Sequence, residues 1–248
     1  MPVAALYDIH SNLPALEAVL EEVRREHVDR VVIGGDVLLG PMPRETLACL
    51  ASLDIPADYI RGNCEREVLQ AKAGTGTSKV PEEYREALRW VGNQLDSDQE
   101  QLVASWPLTL RMAIPGLGDV LFCHATPRDD NEIFTRLTPE GVLAPIFDGA
   151  SAGLVVCGHT HMQFDRMIGR TRVVNAGSVG MPFGETGAYW LLLGPDVRFR
   201  RTDYDLEAAA GRIRRTRYPK AADFAANEVL APRPEHEILA LFGKAELK

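Results

Sequence analysis

The chain has 248 residues, of which 46% are apolar and 25% are charged, and its formal net charge is −8. This composition is typical of a globular protein that is long enough to bury a substantial core. The negative charge argues against a surface that binds nucleic-acid backbones in general.

Cysteine spacing and hydropathy predict a cytoplasmic protein. The four cysteines form no Cys-x-x-Cys pair, so the sequence indicates neither a structural zinc site nor a redox motif. The amino-terminal residues do not combine a basic segment with a long apolar run, so no signal peptide is expected. No run approaches the roughly 18 apolar residues of a membrane span. We therefore expect no membrane partner.

Strand and helix signals alternate over the first 70 residues. The segments VAALYD, RVVIGGD and ADYIRGN predict strands, and the segments SNLPALEAVLEEVRRE, PRETLACLASL and EREVLQAK predict helices. Ser11 or Asn12 is the candidate cap of the first helix. Repeated strand–helix–strand units of this length predict an α/β domain with parallel strands.

Residues 72–107 predict a different arrangement. A Gly/Thr/Ser-rich stretch is followed by two short amphipathic helices, and Ser97 with Glu100 forms a candidate capping box for the second. Beyond residue 107 the signals are mostly those of strands: LTLRMAI, GDVLFCH, LVVCGH, RTRVVNAG, GAYWLLLG and VRFRRTDY. Residues 203–248 are predicted to form a helical C-terminal extension. No linker forces a division, so we expect one domain over residues 1–248.

Polar side chains with metal-binding chemistry follow several predicted strands. In open α/β sheets, ligands bind outside the carboxyl ends of the strands, so these side chains should meet at one edge. Asp, Asn and His supply oxygen and nitrogen ligands for divalent transition metals. The residues are Asp8, His10, Asp36, Asn63, His124, His159 and His161.

Each of these residues also has a structural explanation when it is taken alone. Asp36 and Asn63 follow glycines, where turn chemistry is common, and a His-x-His pair can occur by chance in a loop. The set is more informative than its members, because four of the six histidines lie at strand ends. The other two, His27 and His236, suit ordinary surface roles.

The ordered motifs resemble the calcineurin-like metallophosphoesterase superfamily, and most closely its compact prokaryotic phosphodiesterase branch. The resemblance covers residues 3 to about 202, and VVNAGSVGMP is similar to the segment that usually follows the paired histidines in that family. The motifs that carry it are Asp8-x-His10, Gly35-Asp36, Gly62-Asn63, His124 and Gly158-His159-x-His161.

The resemblance implies a four-layer α-β-β-α sandwich of two mixed sheets, with residues 72–107 as a small helical cap insertion. It implies two divalent metal ions per chain, with Asp36 as the bridge and with Asp36, Asn63 and His124 as the catalytic residues. A metal-bridging hydroxide would then be the nucleophile. The first metal would be held by Asp8, His10, Asp36 and His161, and the second by Asp36, Asn63, His124 and His159.

The match departs from the wider superfamily at GNCE, where Cys64 stands in place of a histidine that is thought to help at the leaving group. The general acid is therefore unassigned, and we expect Cys64 to be a packing residue.

Arg128 is a candidate phosphate contact, because guanidinium suits phosphate geometry. The alternative, that Arg128 is only a solvent-exposed residue of an acidic loop, accounts for the sequence equally well. In the cap, Trp90 is expected to pack against the body of the protein. For Tyr84 the sequence leaves two roles open, packing and the control of substrate access.

A two-metal phosphodiesterase is the expected function. A dinucleoside polyphosphate hydrolase and a phosphoprotein phosphatase are alternatives within enzymes, and a non-catalytic scaffold of the same fold is the alternative of another class. Mn is the expected metal, and Fe, Co, Ni and Zn suit the same ligand types. The expected partner is a small phosphoester or nucleotide, and the sequence leaves a homodimer open.

Overall fold

The computed structural model describes residues 2–76, 82–245 and 247. Within these ranges the chain forms two five-stranded sheets, and most of the helices cover their outer faces. The strands are β1 Val3–Leu6, β2 Arg30–Ile33, β3 Ala57–Tyr59, β4 Thr109–Ile114, β5 Gly118–Cys123, β6 Leu154–Cys157, β7 Phe164–Ile168, β8 Thr171–Asn175, β9 Ala188–Leu193 and β10 Val197–Thr202.

The helices follow the predicted alternation in the first part of the chain and cluster again near its C-terminus. The first helix begins where the sequence predicts, because the Asn12 side chain accepts a hydrogen bond from the backbone N–H of Ala15. The helices are α1 Leu13–Arg25, α2 Pro43–Ala51, α3 Asn63–Lys72, α4 Glu82–Gln94, α5 Ser97–Ala104, α6 Glu140–Phe147, α7 Leu206–Arg214, α8 Ala221–Phe224 and α9 Glu235–Phe242.

The first sheet has the strand order β10-β9-β1-β2-β3. Strands β1, β2 and β3 are parallel, with Val3 opposite Arg30 and Val31 opposite Ala57. Strand β9 runs antiparallel to β1 and also pairs with β10. The predicted third strand is shorter than expected, because Asn63 begins helix α3 instead of ending the strand.

The second sheet has the strand order β4-β5-β6-β8-β7. Strands β5, β6 and β8 are parallel in the centre, and antiparallel strands β4 and β7 form the two edges. The parallel strands of both sheets therefore end in loops that can contribute side chains to one site.

The side chains of β1 alternate between two apolar cores, which shows how the layers are stacked. Val3 and Ala5 contact the core between the two sheets, whereas Ala4 and Leu6 contact the core under the helices of the first sheet. A third core lies between the second sheet and helix α6. This arrangement confirms the predicted four-layer sandwich of two mixed sheets.

Helices α4 and α5 occupy the part of residues 72–107 that was expected to be helical. Leu88 and Val91 of α4 are buried in the same core as the helices of the first sheet, and the Trp90 ring packs edge-on against Tyr218. The cap of α5 lies one residue earlier than predicted, since Asp96 accepts from the Gln99 backbone N–H. The division of the chain into a cap and a C-terminal extension stays a prediction.

In the described ranges, no helix combines the length and the apolar character that crossing a bilayer requires.

Candidate metal centre

The loops that follow the parallel strands bring the predicted ligands together. Asp8 comes two residues after β1, Asp36 three residues after β2, and Asn63 opens helix α3 after β3. From the second sheet, His124 directly follows β5, and the paired histidines follow β6. Side chains from both sheets therefore meet at one end of the sandwich, as the strand-end argument predicts.

Most of these residues have backbone conformations that L-amino acids rarely adopt. Left-handed conformations of non-glycine residues are uncommon, and they cluster at functional sites where the surrounding structure holds them. The backbone here is therefore held in place to direct particular side chains inward. The φ angles are +53° for Asp8, +47° for His10, +52° for Asp36, +65° for His159 and +58° for His161.

Asp8, His10 and His161 form the first ligand cluster, and all three are buried. The Nε2 atom of His161 lies 3.4 Å from Oδ1 of Asp8 and 3.2 Å from Nε2 of His10. A carboxylate oxygen and two imidazole nitrogens thus converge on one small volume. This is the donor set of a transition-metal site.

Asp36, His124 and His159 form the second cluster. Oδ1 of Asp36 lies 3.3 Å from Nε2 of His124, and Oδ2 of Asp36 lies 3.8 Å from Nε2 of His10. The two oxygens of Asp36 therefore face different clusters. This is the placement that a carboxylate needs in order to bridge two cations.

Three of the six buried side-chain polar atoms without a hydrogen-bond partner among the described residues belong to the expected ligands. Such atoms are costly in a folded protein, so each needs an explanation. Oδ1 of Asp8, Oδ1 of Asn63 and Nε2 of His124 are buried and have no hydrogen-bond partner among the described residues. All three are atoms that can bind a metal ion directly. The residues present therefore fit divalent metal binding.

Backbone carbonyl groups set the orientation of the four imidazole rings. In metal sites the ring nitrogen that does not bind the metal usually forms a hydrogen bond, which fixes both tautomer and direction. Here His10, His124 and His161 use Nδ1 for this contact and direct Nε2 inward, whereas His159 uses Nε2 and leaves Nδ1 for the site. The contacts are His10 to Leu39 O at 3.1 Å, His124 to Gly34 O at 2.9 Å, His161 to Met181 O at 2.7 Å and His159 to Asn131 O at 3.2 Å.

Charge in the site is distributed unequally among the histidines. Burial and the neighbouring His161 lower the pKa of His10 to about 4, and burial and His124 lower the pKa of His159 to about 4. For His124, burial acts in the same downward direction, but the carboxylates of Asp36 and Asp8 outweigh it and raise the pKa to about 10. A proton on His124 therefore balances the carboxylates when no metal ion does.

The two carboxylates are ready to bind a cation. Burial raises the pKa of each, but contacts with His161 lower the pKa of Asp8 overall, and contacts with His124 hold the pKa of Asp36 well below its usual range. Metal ligands must be deprotonated to bind. Both groups meet that condition at neutral pH.

Glu65 is a buried acidic residue that the sequence analysis did not select. One of its carboxylate oxygens accepts hydrogen bonds from the backbone N–H groups of Val37 and Leu38, at 2.7 and 3.1 Å. The other accepts from those of Asp36 and Gly62, at 2.9 and 2.7 Å. Glu65 thereby joins the loop that carries Asp36 to the start of helix α3. The available signal was a Glu three residues after a helix cap.

Cys64 contacts the carboxylate that faces both clusters. Its Sγ donates to Oδ2 of Asp36 at 3.1 Å, and its backbone N–H donates to Oδ1 at 2.9 Å. Burial and the negative charge of Asp36 hold the pKa of the Cys64 thiol well above its usual value. The thiol therefore stays protonated and orients Asp36, which is more than the packing role expected from the sequence.

Glycines allow the close approach of two loops. A Cβ atom on Gly62 would lie 2.1 Å from Oδ1 of Asp36, and one on Gly158 would lie 2.4 Å from Oδ2 of Asp8. Both distances are below any real Cβ contact, so a side chain at either position would displace a carboxylate. Gly62 and Gly158 are therefore required because no side chain fits beside these carboxylates, and not only because the chain turns there.

A cleft of about 700 Å³ opens beside the clusters. Asn63 and Cys64 form part of its wall, together with Tyr84 from the cap segment. Arg128, the candidate phosphate contact, is not among the described residues that line the cleft; its exposed guanidinium pairs with Glu132. Its role as a substrate contact stays a prediction.

This fold and this convergence of ligands are those of the calcineurin-like phosphoesterases. A family model for the calcineurin-like phosphoesterase superfamily domain matches residues 1–194, so the chain belongs to that superfamily. The resemblance seen in the sequence is thereby confirmed.

Three proteins are similar to this chain in structure or sequence. A crystal structure of a metallophosphoesterase from Sphaerobacter thermophilus is 25% identical, with a TM-score of 0.72, and the match covers 92% of this chain and 99% of that one. A hypothetical protein from Pyrococcus horikoshii OT3 has a TM-score of 0.80 at 22% identity, over 94% of this chain and 99% of that one. An uncharacterized protein from Methanocaldococcus jannaschii is 26% identical over 88% of this chain and 94% of its own length.

Proposed function

We propose that this protein is a two-metal phosphoesterase that hydrolyses phosphodiesters. The observation that carries the proposal is the position of Asp36, whose two carboxylate oxygens face His10 on one side and His124 on the other. Asp8 and His161 complete the first cluster, and His159 belongs to the second.

The proposed ligand sets are those expected from the sequence. The first metal would be held by Asp8, His10, Asp36 and His161, and the second by Asp36, Asn63, His124 and His159. Unpartnered atoms of Asp8, Asn63 and His124 support this division. Mn is the proposed metal, because the mixed nitrogen and oxygen donors suit it; Fe, Co, Ni and Zn accept the same donors.

The chain's own residues would hold and orient the reacting groups. Two divalent ions at these positions would supply an acidified water as nucleophile at neutral pH and offset charge on the phosphate oxygens. Asp36 is fixed by Cys64, and the histidine rings are fixed by backbone carbonyls, so little reorganisation is needed when substrate binds. The buried Oδ1 atom of Asn63 has no hydrogen-bond partner among the described residues, and Asn63 also lies on the cleft wall, where a phosphate would enter.

The charge of the cleft favours a diester over more highly charged substrates. Glu67, Asp129 and Asp130 line the cleft, and Arg66 is bound to Asp130 through a bidentate ion pair. A phosphodiester carries one negative charge, whereas a phosphomonoester carries about two near neutral pH. Like-charge repulsion therefore disfavours monoesters and polyphosphates at this wall.

The thiol of Cys64 also supports this choice. Because it stays protonated and donates to Asp36, it is committed to orienting the carboxylate. Leaving groups that need little protonation are therefore preferred.

A dinucleoside polyphosphate hydrolase and a phosphoprotein phosphatase are the alternatives within enzymes. A non-catalytic scaffold is less well supported, because all seven expected ligands are present.

The test is Mn²⁺-dependent hydrolysis of bis-p-nitrophenyl phosphate beside p-nitrophenyl phosphate. The proposal expects faster cleavage of the diester and its loss in Asn63→Ala. Asn227→Ala is the matched control, since Asn227 is exposed on the C-terminal part of the chain and bonded to Asp223. Preferred cleavage of the monoester would favour a phosphatase, and no cleavage of either with metal bound would favour a scaffold or a selective hydrolase.

Arg128 is proposed to leave Glu132 and contact the substrate phosphate. Its guanidinium is exposed and lies four residues beyond His124, and guanidinium forms bidentate contacts with phosphate. Arg128→Ala is then expected to raise KM by roughly tenfold, as the loss of a charge-assisted hydrogen bond would. An unchanged KM would mean that Arg128 serves only its ion pair with Glu132.

A further inference from the structure

Four arginines line a second cavity of about 500 Å³ at the surface. They come from the first turn of α2 and from the end of α7 with the turn that follows it, and the C-terminal end of α4 closes one side. The arginines are Arg44, Arg212, Arg215 and Arg217.

This cavity is separate from the metal centre. It shares no lining residue with the cleft beside Asn63, and none of the seven expected metal ligands contributes to its wall. The metal-centre proposal therefore does not account for the arginines.

Two of the four guanidinium groups already have protein partners. The Nε of Arg44 donates to the backbone carbonyl of Gln94, and Arg212 pairs with Glu17. Arg215 and Arg217 are different: within the described part of the chain, neither guanidinium group donates a hydrogen bond or forms an ion pair. Their charges are available to a ligand.

The charge of the cavity is opposite to that of the whole chain. Glu45 is the acidic residue among those lining it, and Glu17 neutralises Arg212 from outside, whereas the chain as a whole carries a net charge of −8. Like charges gathered in one concave surface repel each other, and an anion relieves that repulsion. Arginine also matches the oxygens of phosphate in geometry.

We propose that this cavity binds a small phosphorylated molecule. Arg215 and Arg217 would contact its phosphate oxygens, and the partly buried ring of Trp90 would form an apolar wall beside them. The volume lies within the range of small-molecule sites. The cavity is thus a second anion site, independent of the metals and of the reaction proposed for them.

Isothermal titration of inorganic pyrophosphate into the full-length chain tests this site. Divalent ions are removed first, so that the probe cannot bind them at the metal centre. We expect saturable binding to the wild-type chain and affinity at least about tenfold weaker in Arg215→Gln/Arg217→Gln, equivalent to about 1.4 kcal/mol. Arg24→Gln/Arg25→Gln, a matched change of two exposed arginines on α1, should leave the affinity unchanged.

Tryptophan fluorescence gives a second readout that locates the ligand. Trp106 and Trp190 are buried, at 5% and 0% exposure, and do not line this cavity. Pyrophosphate should therefore change the emission of Trp90, and Trp90→Phe should abolish the change while binding persists. No saturable binding, or equal affinity in the double arginine variant, would overturn the proposal.

Discussion

The Nε2 atoms of His10 and His161 lie 3.2 Å apart. Each ring donates from Nδ1 to a backbone carbonyl, so the two Nε2 atoms cannot both be bare without repulsion between their lone pairs. Burial lowers the pKa of His161, but the Asp8 carboxylate outweighs burial and raises it overall. Without metal, a proton on Nε2 of His161 would relieve this repulsion and would also face Oδ1 of Asp8, 3.4 Å away.

The first prediction is that metal binding releases protons. His124, with its pKa raised to about 10, is protonated at pH 7 without metal, and its Nε2 must lose that proton to bind a metal. The Asp8 carboxylate raises the pKa of His161, so any proton on its Nε2 must also leave before metal binds. Titration of Mn²⁺ in buffers of different ionisation enthalpy should report about one to two protons released per chain, and affinity should rise with pH up to the pKa of His124. A binding enthalpy independent of the buffer would contradict this.

The second prediction concerns metal content. Asn63→Ala removes a ligand of the proposed second metal alone, whereas Asp36→Ala removes the carboxylate that faces both clusters. We expect about two metals per wild-type chain, about one in Asn63→Ala and almost none in Asp36→Ala, as measured by elemental analysis after dialysis. His236→Ala changes an exposed histidine and should keep the wild-type content. Equal loss in both site variants would show that the two positions do not fill separately.

The third prediction is that Glu65→Gln destabilises the fold. A glutamine side chain would direct an NH₂ group at two backbone N–H donors, and these donors would lose their acceptor while remaining buried. The free energy of unfolding should fall by roughly 2–4 kcal/mol in urea titrations. Glu21→Gln, at an exposed position on α1, should change it by less than about 0.5 kcal/mol. An equally small effect for Glu65→Gln would exclude a structural role for its carboxylate.

The fourth prediction separates a positioning role of Cys64 from packing. Cys64→Ala removes the hydrogen-bond donor to Asp36, whereas Cys64→Ser replaces the thiol with a hydroxyl donor of similar size. Loss of a group that orients a metal ligand typically weakens metal binding by about 10- to 100-fold. We expect that loss for Cys64→Ala and near-wild-type Mn²⁺ affinity for Cys64→Ser. Cys49→Ala is the control, and equal affinity of Cys64→Ala and wild type would leave only packing.

The alternation of apolar and polar residues predicts most of the strands but not β7. Phe164 and Ile168 at its ends are buried, whereas Asp165 and Met167 between them are exposed. Burial alternates along β7, but the residue types do not follow it, because the inward position 166 is an arginine and the exposed position 167 is a methionine. Pairing with β8 defines it, and that pairing depends on the completed sheet.

The expected ligands could be selected because the chemistry of strand ends is local. A parallel strand places the residues after it at the carboxyl edge, so Asp36 and His124 could be assigned to one site before their partners were known. Glu65 could not be selected in this way. Its role depends on backbone groups of a loop 29 residues away along the chain, and no local pattern encodes that contact.

The sequence by itself determined most of the strands and helices, the family, and the side chains that could bind metal, because each depends on local spacing and residue type. The tertiary structure alone decided how those side chains face one another. The ring of His10 takes its direction from the carbonyl of Leu39, and that of His161 from the carbonyl of Met181. The arginine cavity likewise joins α2, α4 and α7, which are far apart in the chain. Tertiary packing brings such groups together, and the spacing of residues along the sequence does not predict these contacts.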